Sequence, residues 1–228
     1  MSETMKVQDD VFSKGEGDAW FERNAKALAA PERHDWVLTN LARLAPAERL
    51  RSVCEVGCSN GWRLARLNES LPAVQRRAGF DLSESAIRDG MRMDSTLDLR
   101  VGPASAPPFE EQFDLVIVSF VLHWVDRSML SRSLAAIDAL VVPGGVLVVA
   151  DFLPDSQCRR RYHHRQDVAL YTFKQDYAKA FTGMGLYREL QRSTFHHGDA
   201  EGKVDDAGSA DRAVCVVLHK PEQAYPEQ

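Results

Sequence analysis

Apolar residues recur along this chain with two alternating periods. GDAWFERNAKALAA and HDWVLTNLARLA set Trp20, Phe21, Trp36, Val37 and Leu41 on the apolar side of two helices, which Pro31 and Pro46 bring to an end. A short apolar run, RSVCEV, then reads as a strand, and WRLARLNESL as the helix after its glycine turn. The pattern repeats: QRRAGFD is a strand over 75–81, SESAIRDGMRM a helix with Ser83 as N-cap, and LDLRV a short strand. DLVIVSF is almost continuously apolar, as expected of a central strand covered on both faces. RSMLSRSLAAIDALV is the next helix, stopped by Pro143, Gly144 and Gly145, and GVLVVADF the strand that follows. Residues 154–166, PDSQCRRRYHHRQ, break the alternation with basic and aromatic groups. KQDYAKAFTGMG is the last helix, and LYRELQRSTF and RAVCVVLHK read as antiparallel strands joined by the acidic loop 198–211. Alternating strands and helices predict an α/β fold, a parallel sheet with helices on both sides.

Composition narrows the organisation. A chain of 228 residues buries one substantial core, so residues 16–220 read as a single domain, with a mobile polar lead over 1–15 and a mobile tail over 221–228. The net charge of −5 comes with no long basic block, which disfavours a nucleic-acid partner. No apolar run approaches the roughly 20 residues that cross a bilayer, which excludes a membrane-spanning helix. Cys54, Cys58, Cys158 and Cys215 form no C-x-x-C pair, so free thiols and no zinc are expected. With no signal-like start, that composition suggests the cytoplasm. The oligomeric state is not legible.

Chemistry first suggests itself at the turn after the first strand. Glu55-Val-Gly57-Cys58-Ser59-Asn-Gly61 ends an apolar run on an acid and turns on two glycines, whose missing Cβ lets backbone N–H groups approach a ligand. Asp81 ends the next strand 20 residues after Gly61, a separation that suits an acid binding ribose hydroxyls. A dinucleotide fingerprint begun at Gly57 would need glycine at 59 and 62, where Ser59 and Trp62 stand. A nicotinamide-dependent oxidoreductase is therefore the weaker alternative, beside a binding module that keeps the fold without chemistry.

The run Glu55 to Gly61 resembles the first motif of class I S-adenosylmethionine-dependent methyltransferases, with Ser59 in place of the middle glycine. FDLVIVSFVLHWV (113–125) resembles that family's fourth motif, and LVVPGGVLVVADF (140–152) its fifth strand with the PGG turn before it. The resemblance implies a Rossmann-like, doubly wound, mostly parallel seven-stranded sheet with an antiparallel final strand. Helices over 16–48 would cover a cofactor cleft built by 51–152, residues 153–185 would form a substrate-side insertion and helix, and 186–220 the closing strands. It also implies S-adenosylmethionine as cofactor, S-adenosylhomocysteine as product, and no metal. Gly57, Cys58, Ser59 and Gly61 then lie at the methionine part of the cofactor. Glu55 holds its amino group, Arg23 pairs with its carboxylate, and Asp81 accepts both ribose hydroxyls. Leu82, Ala104 and Ser105 lie at the adenine, although Pro103 stands where the family carries an acid. Ser119, Phe120 and His123 fall at or just beyond the end of the fourth strand, where open parallel sheets place ligands.

The acceptor side rests on residue chemistry. Methyl transfer to a hydroxyl needs a base, whereas a carboxylate nucleophile needs none. His123, His163 and His164 are candidate bases. The alternatives are a structural hydrogen bond for His123 and a solvated basic loop for the other two. Arg161, Tyr162 and Arg165 around them would hold an anion, pointing to a small, acidic acceptor methylated on oxygen or, second, nitrogen. Trp20, Lys174 and Tyr177 would extend that pocket, or else serve as packing and surface charge. His196 and His197, after an edge strand, read as exposed. GDAWFERN and YTFKQDYA are also similar to segments of methylases of nonulosonic (pseudaminic-type) acid sugar biosynthesis.

Overall fold

The near-continuous apolar run at 113–119 becomes the middle of a seven-stranded sheet. The protein is seen in a computed structural model that describes residues 8–30, 34–44, 49–165, 167–198 and 211–225. Its strands are β1 (Ser52–Val56), β2 (Arg76–Asp81), β3 (Asp98–Val101), β4 (Phe113–Ser119), β5 (Val141–Phe152), β6 (Cys158–Arg161), β7 (Tyr171–Lys174), β8 (Arg188–His196) and β9 (Arg212–His219). The main sheet runs β3-β2-β1-β4-β5-β9-β8, with the first five strands parallel and β9 antiparallel to both of its neighbours. This is the mostly parallel sheet with a reversed final strand that the resemblance implies.

Side chains of β4 leave alternately to the two faces. Leu115 and Ile117 join Leu38 and Leu41 of α3 (Trp36–Leu41) and Leu64 and Leu67 of α4 (Trp62–Ser70), together with Ile87 of α5 (Glu84–Met93). Val116 and Val118 join Ile137 of α6 (Leu130–Ala139) and Phe181 of α7 (Ala178–Gly183). Burial on both faces is why this strand shows no period-2 alternation in sequence. Strand order reverses between β1 and β4, leaving a crevice outside their carboxyl ends where ligands bind in such sheets.

Three elements depart from expectation. Residues 8–15, expected as mobile lead, form α1 (Gln8–Val11) and a π-helical turn (Phe12–Glu16) that runs into α2 (Gly17–Leu28). Gln8 is buried: its Nε2 donates to the Tyr171 carbonyl at 3.0 Å and its Oε1 accepts from the Tyr171 N–H at 2.8 Å. A polar residue that satisfies itself against a distant strand reads in sequence as solvated. The basic segment, which breaks the strand–helix alternation and reads as no element in sequence, forms β6, which pairs with β7 in a separate hairpin. All four β6 residues are exposed, so no alternating burial was available to reveal it. The PGG turn is a bulge inside β5 rather than a break before it, with Gly144 at φ +80° and its N–H donating to the Lys220 carbonyl. Pro31, Pro46 and residue 166, the mobile ends expected at 1–7 and 226–228, and the acidic loop over 199–210 lie outside the described residues.

α2 is held over the sheet by Asp18, whose Oδ1 accepts from the Ser83 hydroxyl at 2.7 Å and the Ser85 N–H at 3.0 Å. A carboxylate is thus placed at the N-terminus of α5, where exposed N–H groups favour negative charge. The cover helix is fixed above the crevice by that contact.

Candidate functional site

A cavity of about 300 Å³ opens at the carboxyl ends of β1, β2 and β4 beneath α2. Its floor is the glycine turn. Gly57 and Gly61 adopt left-handed φ of +67° and +72°, and Ser59, in the place of a third glycine, does so at +52°. The Gly57 and Cys58 N–H groups both donate to the Phe80 carbonyl, at 2.8 and 3.0 Å, which ties the turn to β2. A Cβ on Gly57 would stand 2.2 Å from Val121 Cγ2. Gly57→Ala therefore meets both a left-handed backbone and a packed side chain, and should lower the unfolding free energy by at least about 2 kcal/mol. A lower urea midpoint at unchanged m-value checks this, with partial recovery expected when Val121→Ala is added.

Asp81 stands at the centre of the cavity wall. Its Oδ2 accepts from the Ser59 N–H at 2.8 Å and its Oδ1 from the Ser83 N–H at 2.9 Å, so one carboxylate fixes both the turn and the start of α5. Burial raises its pKa, against the pull of those N–H groups. Each oxygen keeps a lone pair for a ligand hydroxyl.

Glu55 is fully enclosed at the end of β1, and burial pushes its carboxyl up to about 7 against the pull of the Arg63 guanidinium. Arg63 Nη1 donates to Glu55 Oε1, its Nε to Asp35 Oδ2 at 2.9 Å, and its Nη2 to Ser119 Oγ at 3.2 Å. Asp35 is also the N-cap of α3, accepting from the Leu38 N–H at 3.0 Å. One arginine thus joins the first strand, the start of α3 and the end of β4. Sequence reasoning missed it because Arg63 sits in the first turn of an amphipathic helix, where a surface position is the ordinary reading. Glu55 Oε2 and Ser59 Oγ are buried without a hydrogen-bond partner. Both belong to residues lining the cavity, so a ligand that donates to a carboxylate there would satisfy the first of them.

Of the residues expected at a cofactor, Glu55, Gly57, Cys58, Ser59, Asp81, Leu82, Ala104, Ser119 and Phe120 line the cavity, as does Trp20 from the acceptor group. Cys58 is buried and its thiol is pushed well above its ordinary range by burial, so it is a packing residue rather than a nucleophile. Phe120 takes a left-handed φ of +57°, a strained backbone for an aromatic residue, next to the His197 ring at 4.5 Å. Gly61 instead caps α4 toward Leu97, and Ser105 is buried with its hydroxyl donating to Asp9 Oδ2 at 3.4 Å.

The remaining candidates lie elsewhere. Arg23 Nη2 donates to Glu16 Oε1 at 2.5 Å and to the Tyr162 hydroxyl at 2.6 Å, binding α2 to the β6–β7 hairpin rather than reaching the cavity. Tyr162 is buried in that contact and donates to the same Glu16 oxygen at 2.8 Å. Arg165 pairs with Asp167 at 2.8 Å and lies 3.6 Å from Glu16. His163 and His164 are exposed in the hairpin turn with ring centres 3.9 Å apart, and Arg161 is exposed on β6. His123 is buried, its Nδ1 2.9 Å from Asp151 Oδ1 and its carbonyl accepting from the Phe173 N–H at 2.8 Å. Lys174 lies 3.6 Å above the Phe152 ring, and Tyr177 is a core residue whose hydroxyl donates to the Phe173 carbonyl. The structure therefore gathers the cofactor group and disperses the catalytic and anion-binding group. In place of the latter, the cavity includes Asp9, Phe12, Asn24, Trp62, Trp124 and His197.

The region around this site matches a known family of domains. Residues 53–145 match the model of a family described as a methyltransferase domain. The cofactor of such a methyltransferase domain is S-adenosylmethionine, and the left-handed turn, the orphaned Glu55 oxygen and the Asp81 carboxylate in the cavity wall fit it. Two curated relatives are the mitochondrial arginine-hydroxylase NDUFAF5 of Rattus norvegicus, 32% identical over 103 residues, and of Mus musculus, 31% identical over 103 residues. Those matches cover 45% of this chain and 29% of either relative, so the chain aligns with under a third of their length. Among solved structures, the Burkholderia thailandensis 1,6-didemethyltoxoflavin-N1-methyltransferase with bound 1,6-didemethyltoxoflavin and S-adenosylhomocysteine superposes with TM-score 0.67 at 13% identity, over 97% of this chain and 93% of that one. A candidate methyltransferase of Haloferax volcanii, solved in complex with the Trm112 methyltransferase activator, superposes with TM-score 0.66 at 16% identity, over 97% and 100%. The N-methyltransferase NodS of Bradyrhizobium japonicum in complex with S-adenosyl-L-homocysteine gives TM-score 0.57 at 17% identity, over 89% and 98%. At these identities the likeness is one of fold. Among the described residues no helix is long and apolar enough to cross a membrane, and no cluster of ligating side chains could hold a metal.

Proposed function

We propose that this chain transfers the methyl group of S-adenosylmethionine to an oxygen or nitrogen of a small acceptor. The observation that carries the reading is the coupled pair of turn and acid, in which the Ser59 N–H binds the Asp81 carboxylate across a left-handed glycine turn. In this reading Gly57, Cys58 and Ser59 follow the methionine part of the cofactor, and Asp81 accepts the ribose hydroxyls. Leu82 and Ala104 border the adenine, and Ser119 and Phe120 border the reacting end. When bound, the cofactor supplies an electrophilic methyl on a sulfonium. The chain supplies alignment and the exclusion of water, which α2 provides by covering the crevice with Trp20 and Asn24.

Glu55 receives the amino group of the methionine part. Because its folded carboxyl titrates near 7, above the ordinary 4.5, it is protonated in mildly acidic solution. Folding stability from this group is present below about 4.5 and is lost as pH rises through 7. Cofactor binding runs the other way, since an ammonium favours the ionised acid. Affinity measured by calorimetry should therefore rise between about pH 5.5 and pH 7.5, and Glu55→Gln should flatten that dependence. An unchanged slope in the variant would assign the titration to another group.

The acceptor is read from the rim. Trp20, Trp62, Phe120, Trp124 and His197 line the mouth with rings and suit a flat acceptor. An acidic acceptor rests on the hairpin segment around Arg161 to Arg165, which does not line the cavity; the likeness to nonulosonic acid methylases rests on YTFKQDYA, which does not line it either, and on GDAWFERN, whose Gly17, Trp20 and Asn24 do. A screen for S-adenosylhomocysteine formation should therefore pair acidic sugars and carboxylates with planar heteroaromatic amines and phenols. Absence of binding heat for both S-adenosylmethionine and S-adenosylhomocysteine on folded protein would overturn the proposal. Four free cysteines support a reducing compartment such as the cytoplasm.

A further inference from the structure

The wall of the cavity beyond Asp81 carries a carboxylate that the glycine-turn reading does not use. Asp9, from the short helix α1, is half-buried, lines the cavity, and receives the Ser105 hydroxyl at a long 3.4 Å. Among the described residues it forms no ion pair, and the charges nearest it, Asp126 and Asp10, are also acids; burial first, and then those acids, raise its pKa. A carboxylate placed in a cavity without a cation is costly unless a ligand donates to it.

The position of Asp9 says which part of a ligand that would be. From Asp81 the cavity extends toward Glu55, Ser119 and Phe120 at the ends of β1 and β4, and in the other direction toward Gly102 and Ala104 after β3. The Gly102 N–H donates to the Asp81 carbonyl at 3.0 Å, so the β3 end lies directly beside the ribose acid. With the reactive sulfonium at the aromatic rim near β4, the nucleobase lies at the β3 end. There the chain has Pro103, which offers no side-chain acceptor, and Asp9, which lines the same cavity, meets this loop at Ser105, two residues on.

We propose that Asp9 reads the exocyclic amine of adenine, so that the N-terminal helix, and not the loop after β3, supplies the nucleobase acceptor. The inference rests on the reading that this cavity takes S-adenosylmethionine. An acceptor-only carboxylate suits an NH₂ donor and gains nothing from a ring that lacks it. Closing α1 over the base also couples recognition of the cofactor to ordering of the N-terminal cover, since the neighbouring Gln8 anchors that helix to β7.

The test compares S-adenosylhomocysteine with its 6-deamino purine analogue by titration calorimetry on the full chain. The unaltered protein should bind the adenine compound at least about tenfold more tightly, the loss of one charged hydrogen bond. Asp9→Ala should bring the two affinities within about threefold of each other, and Asp9→Asn, which keeps the shape and an uncharged acceptor, should fall between. If Asp9→Ala does not fold, the Asn variant decides alone, and its ratio must drop at least about threefold. An unchanged ratio in a folded variant, or no discrimination by the unaltered protein, overturns the assignment of Asp9. Failure of the unaltered protein to bind either compound removes the cofactor reading instead.

Discussion

Asp81→Ala is expected to weaken binding of S-adenosylmethionine and S-adenosylhomocysteine by at least about a hundredfold. Hydrogen bonds to a charged acceptor contribute about 1.5–3 kcal/mol each, and the ribose offers two hydroxyl donors to this carboxylate. A loss of two such bonds is about 3–6 kcal/mol, which already exceeds two decades in affinity. The substitution reaches further than the sugar. Asp81 also accepts the N–H groups of Ser59 and Ser83, so its removal frees the left-handed turn and the first residues of α5 together. Part of the loss will then appear as disorder in the turn, and Asp81→Asn separates the two contributions. Asparagine keeps one acceptor oxygen, so it should retain at least one of the two backbone contacts while losing the charge. Calorimetric affinities of the three proteins, with circular dichroism to establish folding, give the ordering aspartate, asparagine, alanine. Affinity for Asp81→Ala within threefold of the unaltered protein would remove the ribose role.

The parts of this molecule that were legible in sequence are those whose physics is local. A turn on Gly57 and Gly61, an acid at the end of the next strand and a doubly covered β4 each leave a signature within a few residues, and each stands where the pattern put it. What sequence did not reveal is carried by contacts between distant segments. Gln8 is polar and sits in a polar stretch, yet it is buried because its amide exchanges hydrogen bonds with Tyr171, 163 residues away. His163, His164, Arg161 and Arg165 cluster in sequence and suggest an anion site, but a hairpin turns them outward while the Glu16 carboxylate takes up Arg23 and lies close to Arg165. His197 is exposed, as a residue after an edge strand reads, yet its ring also stands 4.5 Å from that of Phe120 and 4.8 Å from that of Phe152, where it lines the cavity, a contact no local pattern shows. Residue type predicts what a side chain can do, and only topology says what it faces.

The second large effect is expected at Arg63. Arg63→Met leaves Glu55 and Asp35 buried side by side without their shared cation. Removing one partner of a buried ionic group costs about 3–5 kcal/mol because the remaining charge is uncompensated. For a domain of this size that corresponds to a fall in Tm on the order of 10 °C. The loss should deepen as pH rises through 7 and above, because Glu55 titrates near 7 beside Arg63 and, without that cation, burial holds its carboxyl protonated to higher pH while the unfolded chain ionises. The same logic predicts a rescue. With Asp35→Asn and Glu55→Gln added, no charge remains to be compensated, and the triple variant should recover most of the Tm while binding the cofactor poorly. Stability and binding would thereby separate, since the arginine holds α3 through its N-cap Asp35 while it holds Glu55 ready for a ligand ammonium. A single Arg63→Met variant with unchanged Tm across that pH range would show that the two acids are solvated in solution, and the enclosed site derived from them would fall with it.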